Sequence, residues 1–163
     1  MKKLVAILFL LTITLFAKSQ ANKLFAIKND GKHFEFVQID CNNDSVTVLN
    51  QFQNSYYTLY FSSCYNPILN KYYLTLGQNL KVLDALTGNL DTMYVFTSIN
   101  PQYFIHIVFN PADGFIYGIK YNQATFDETL AKFDPASGVF TDLFPITPAV
   151  DVVIGCKASF DPY

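Results

Sequence analysis

From residue 22 onward, short apolar stretches alternate with clusters of Asn, Asp, Pro, Ser, Thr and Gly. "SVTVL" (residues 45–49) alternates apolar and polar positions, whereas "YFIHIVF" (103–109) is nearly continuous. Alternation marks a strand with one buried face. A continuous run bounded by turn residues marks a strand covered on both faces. No stretch keeps a 3.6-residue apolar period between helix caps. The pattern predicts an all-β protein.

The strands recur in order. "SSCYNPILNKYYLTL" (62–76) aligns with "HIVFNPADGFIYGIK" (106–120) at an offset of 44 residues. Asn66-Pro67 falls on Asn110-Pro111, and "ASFDPY" (158–163) begins a third copy with Asp161-Pro162. A second motif also repeats: "KVLDALTGNL" (81–90) matches "AKFDPASGVF" (131–140), aligning Asp84 with Asp134 and Gly88 with Gly138. "VQIDCNNDSV" (37–46) is a weaker version, with Asp40 in the Asp slot and Asp44 in place of Gly. Each unit divides into four strands, A to D. Asn-Pro or Asp-Pro marks the A–B link, and Asp-x-x-Thr/Ser-Gly marks the C–D link.

These links are turns by their chemistry. An Asn or Asp side chain accepts a bond from a backbone N–H two residues on, Pro fixes φ, and Gly supplies a positive φ. "NPADG" (110–114) therefore reads as a turn. It offers too few oxygen ligands for a calcium loop.

Four-stranded antiparallel units of this length, repeated in tandem, are the blades of a β-propeller. The units resemble those of secreted bacterial β-propeller repeat proteins of the quinoprotein-like group, with DPxTG-type turns. There is no Trp, which removes the Trp-Asp and Asp-box signatures. The count is three strands of B, C and D type, two full ABCD units, and a closing A-type strand "VDVVIGCKASF" (150–160). The expectation is about three four-stranded propeller-type blades in an incomplete ring, the first completed by the C-terminal strand. Propellers have typically 4–8 blades. Three arrangements follow: a piece of a longer propeller, a homodimer that completes a six-blade ring, or another all-β packing.

Residues 1–21, "MKKLVAILFLLTITLFAKSQA", read as a signal peptide: a basic head, an apolar run too short to span a bilayer, then Ser19-Gln20-Ala21 for cleavage. The expected location is exported: periplasmic, cell-surface or secreted. In residues 22–163, eight Lys and no Arg face 13 acidic residues, a net charge of −5. That balance argues against nucleic acid and anionic lipid as partners. Cys41, Cys64 and Cys156 allow one disulfide and one thiol in an oxidising compartment, or three buried apolar side chains; the pairing stays open.

No nucleophile motif, phosphate loop or metal-ligand spacing is visible, so no catalytic residue, metal or cofactor is assigned. Asp127-Glu128 are adjacent and read as a solvated B–C link. Exposed tyrosines (Tyr56, Tyr57, Tyr65, Tyr72, Tyr73, Tyr121) are candidates for stacking on a ligand, with half-buried strand positions as the alternative. Aligning the A strands puts Ser62, His106 and Lys157 in one slot, polar in otherwise apolar strands. A is the innermost strand of a blade. This column is the candidate ligand-binding set, set against a hydrated slot without ligand. The expected function is an exported non-catalytic binding or scaffold module. The alternative is a fragment of a propeller enzyme (lyase, hydrolase or cofactor-binding oxidoreductase) whose site lies in missing blades.

Overall fold

The computed structural model describes residues 22–29, 33–53, 61–96 and 102–146. These form eleven strands and, among the described residues, no helix. They are β1 (Lys23–Asn29), β2 (His33–Asp40), β3 (Ser45–Gln53), β4 (Phe61–Asn66), β5 (Lys71–Leu76), β6 (Asn79–Asp84), β7 (Leu90–Val95), β8 (Gln102–Phe109), β9 (Ile116–Asn122), β10 (Glu128–Asp134) and β11 (Val139–Pro145). They pair in chain order into three antiparallel sheets: β1-β2-β3, β4-β5-β6-β7 and β8-β9-β10-β11. These are the three units read from the recurrence. The signal segment, the closing A-type strand, Tyr56, Tyr57, Cys156 and Lys157 lie outside the described residues.

The first sheet belongs to one compact unit and the other two to a second. In the first, Phe34, Phe36 and Val37 are buried, and Phe36 stacks on Phe25 of the neighbouring strand.

The second unit has one apolar core shared by two sheets. Tyr73, Leu80 and Val82 of the β4–β7 sheet meet Phe104, Ile107, Phe109, Ile116, Ala131 and Phe133 of the β8–β11 sheet. Rings interlock across the seam: Tyr94 meets Phe133 edge-on at 4.9 Å between centroids, and Phe96 meets Phe140 at 4.9 Å. Neither sheet could cover this face alone, which is why the units must stack. Gly118 in β9 makes room for the seam. A Cβ there would stand 2.7 Å from the Phe104 ring and 2.9 Å from Ile107. The outer strands β7 and β11 are mostly exposed, including Leu90, Met93, Val139 and Phe144.

The links behave as their residues dictate. Asp84 Oδ1 accepts from the N–H groups of Leu86 (3.1 Å) and Thr87 (2.9 Å) and from the Thr87 hydroxyl (3.0 Å), and the Gly88 N–H donates to the Asp84 carbonyl (2.8 Å). Asp134 repeats this with Ala136, Ser137 and Gly138. The last slot has positive φ in all three units: Asp44 at 56°, Gly88 at 74° and Gly138 at 73°. In the A–B links the same role falls to Asn70 at 53° and Gly114 at 79°. Asn66 and Asn110 accept from the N–H two residues on.

Candidate functional site

β4 and β8 are the first strands of their sheets and lie beside each other in the second unit. Ser62 on β4 is fixed from three sides. Its N–H donates to Thr75 Oγ1 (2.9 Å), its carbonyl accepts from that hydroxyl (3.0 Å), and its Oγ accepts from the Ile107 N–H of β8 (2.9 Å). The last bond ties the two sheets together at their inner strands, next to His106. Thr75 is fully buried, so its hydroxyl needs both partners.

His106 does not occupy the register position of Ser62. Ser62 pairs with Thr75, and the residue 44 positions after Thr75, Ile119, pairs with Ile105. His106 sits instead in a β-bulge between Ile105 and Val108, with φ at 53°. A bulge bends the strand and re-aims a side chain, and a left-handed backbone is costly for a residue with a Cβ. Ser62 and His106 are thus brought together across the seam by different local structures. Lys157 lies outside the described residues.

The remaining polar groups divide clearly. Ser63 Oγ and the Tyr72 hydroxyl bond at 2.7 Å on the other face of β4. Tyr72, Tyr73 and Tyr121 are buried rather than presented to solvent, whereas Tyr65 is partly exposed and donates to Asn70 (2.8 Å). Burial pushes the Cys64 thiol well up and the Tyr73 hydroxyl up to about 12, so neither offers an anion at neutral pH. An open cleft of about 290 Å³ runs along the outer seam, lined by Tyr94, Phe96, Gln102, Lys120 and Phe140. Lys120 there is held by both carboxylate oxygens of Asp142, at 2.7 and 3.0 Å. No group of three or more His, Cys, Asp or Glu side chains that could hold a metal occurs among the described residues.

The carboxylates of the repeat motif are occupied by their turns, and this has a pH signature. The Thr87 N–H, followed by its hydroxyl, Lys71 and the Leu86 N–H, holds the Asp84 carboxyl below the usual carboxylate range. A depressed folded pKa contributes stability that is complete above the unfolded value of about 3.9 and is lost as pH falls through the folded one. Asp84→Asn should therefore flatten the fall in stability on acidification below about pH 4, read from urea midpoints across pH 2–6. An unchanged slope would mean that the carboxylate charge does not serve the turn.

Two sheets joined at their first strands, each a four-strand meander built on one repeated turn set, define consecutive blades of β-propeller type. Solved structures agree on that fold. Oligogalacturonate lyase in complex with manganese matches with TM-score 0.57 at 18% identity, over 76% of this chain and 37% of that one. TolB from Acinetobacter baumannii matches with TM-score 0.56 at 13% identity, over 77% of this chain and 30% of that one. Both are β-propeller proteins. The uncharacterized protein lmo1340 from Listeria monocytogenes EGD-e matches with TM-score 0.54 at 9% identity, over 75% and 36%. The chain thus spans about a third of the length of each of these three structures. No protein-family model matches the chain, and a search of curated proteins finds no relative.

Sequence reasoning missed the bulge at His106 and the burial of Glu128. Glu128 opens β10 and is only 7% exposed, while its neighbour Asp127 stays in the solvated link. The signal for both was weak: a polar residue inside "YFIHIVF", and an acidic residue directly before "TLAKF".

Proposed function

We propose that this chain is an exported, non-catalytic binding or scaffold module of β-propeller type, with its ligand recognised near the inner strands by His106 and Ser62. One observation carries the reading: the Ile107 N–H to Ser62 Oγ bond fixes His106 on a bulge where two blades meet. The repeat carboxylates of Asp84 and Asp134 are engaged in turns. Export rests on residues 1–21, and no helix of the described residues is long and apolar enough to cross a membrane. A second copy would bring the blades to six and complete a ring.

The test is retention of the mature chain on arrays of glycans and peptides. His106→Ala should weaken binding of any retained class by about tenfold, the effect of losing one charged or strongly polar hydrogen bond. Ile68→Ala, at an exposed turn, should not. Undiminished binding by His106→Ala would remove His106 from the site. Conversion of a retained ligand to product would favour the second reading, a portion of a propeller enzyme. That reading is supported by the chain spanning only about a third of its structural neighbours.

A further inference from the structure

The aromatic seam of the second unit opens at one end into the cleft of about 290 Å³. Register explains its lining. Phe104 of β8 is buried in the seam and pairs with Lys120 of β9, and Gln102 stands two residues before Phe104 on the same strand. Side chains of paired residues, and of every second residue along a strand, project from one face. The seam face of this sheet therefore passes from rings to an amide and an ammonium. Opposite them stand Tyr94 of β7 and Phe96 just beyond it, from the neighbouring sheet. Phe96 is fixed by its edge-on contact with Phe140 and by its N–H, which donates to the Gln78 carbonyl (2.8 Å). These rings belong to the core and give the cleft a firm apolar wall.

The polar groups of the cleft have bonding capacity left over. Lys120 gives two bonds to Asp142, at 2.7 and 3.0 Å, so its charge is met and one of its three N–H donors remains. The Gln102 amide, with two donors and an acceptor, makes no hydrogen bond to any described residue, and neither does the Tyr94 hydroxyl. Tyr94 lies across Gly138, which lines the same cleft: a Cβ on Gly138 would stand 2.6 Å from Cε1 and 3.4 Å from Cζ. The hydroxyl-bearing half of the ring is thus the half beside the cleft. An anion would find Lys120 already neutralised, and a cation would find no carboxylate in the lining. A sugar ring matches what is offered, because its hydroxyls both give and take hydrogen bonds and its C–H face is apolar. The volume lies at the small end of ligand sites, about 300–1,000 Å³, which is room for one such ring.

We propose that this cleft binds a single neutral pyranose unit of a glycan. Lys120 and the Gln102 amide N–H donate to its hydroxyl oxygens, the Gln102 carbonyl and the Tyr94 hydroxyl accept from its hydroxyls, and Phe96 and Phe140 border its C–H face. The site stands apart from Ser62 and His106, so either assignment can fail without the other.

The mature chain is titrated with the methyl pyranosides of glucose, galactose and mannose, with glucuronate and open-chain sorbitol as contrasts, by calorimetry and saturation-transfer NMR. At least one glycoside should bind with a Kd of millimolar order, the range open to ligands of so few atoms. Gln102→Ala, at a half-buried wall position, and Tyr94→Phe, which keeps the ring, should each weaken it about fivefold, the loss of one uncharged hydrogen bond. His106→Ala should leave it unchanged. Sorbitol should bind more weakly, since it presents no preformed ring, and glucuronate no more tightly than the neutral sugars. The proposal is overturned by no saturable binding of any glycoside up to about 100 mM, by tighter binding of sorbitol or glucuronate, or by unchanged affinity in both wall variants. A loss in His106→Ala instead would move the sugar to the inner strands and overturn the cleft assignment as well.

Discussion

Phe133→Ala is expected to cost about 3–5 kcal/mol, the range for deleting a large buried ring, read as a fall in the urea or thermal midpoint. Phe133 is fully buried at the seam between two sheets. It meets Tyr94 of one sheet edge-on at 4.9 Å and Phe140 of its own at 4.6 Å. Neighbours on both sides are held by strands, so the cavity cannot collapse cheaply. Domain stabilities are typically about 5–15 kcal/mol, so this one change removes a large share and leaves a mostly unfolded chain at elevated temperature. A loss under about 1 kcal/mol, the size of a surface change, would mean that the seam does not hold the sheets.

The second large effect belongs to a turn. Gly138→Ala meets two penalties at once. Its φ of 73° lies in the left-handed region, which costs a residue with a Cβ about 1–2 kcal/mol. Its Cβ would also stand 2.6 Å from the Tyr94 ring, and overpacking of that kind costs about 1–3 kcal/mol. Gly114→Ala separates the two terms. Its φ is 79°, but nothing lies within 4 Å of the added carbon. Chemical denaturation should show Gly138→Ala as clearly the more damaging of the pair. Gly114→Asn should be milder than Gly114→Ala, since Asn70 already fills the equivalent slot at 53°. Equal losses for the two alanine variants would mean that Tyr94 does not pack over the C–D turn.

The turn system was legible in the sequence because its chemistry is local. Asp84 and Asp134 bond within four residues of themselves, so their motif carries its own geometry. The offset of 44 placed Asn70 under Gly114 and Asp44 under Gly88, and each pair shares a positive φ. The all-β, blade-type sheets followed from the recurrence for the same reason. What failed to show depends on partners distant in sequence. The bulge at His106 leaves the 44-residue spacing of the flanking turns intact, so an ungapped alignment set His106 beside Ser62 when the register gives that place to Ile105. Asn122 makes a turn like those of Asn66 and Asn110, but without Pro or Gly: the positive φ falls on Phe126, at 61°, a residue type that gives no warning. The burial of Glu128 hinges on which residue of an acidic pair enters the strand, and composition says nothing about that.

The β4–β7 and β8–β11 sheets lean on one another through the aromatic seam. A double-mutant cycle on Tyr94 and Phe133, each changed to Leu to keep the core filled, measures that contact directly. Their ring contact predicts a coupling of about 0.5–1.5 kcal/mol between residues of different units. Additive effects, with no coupling beyond error, would show that the two sheets do not meet there and would contradict the blade stack.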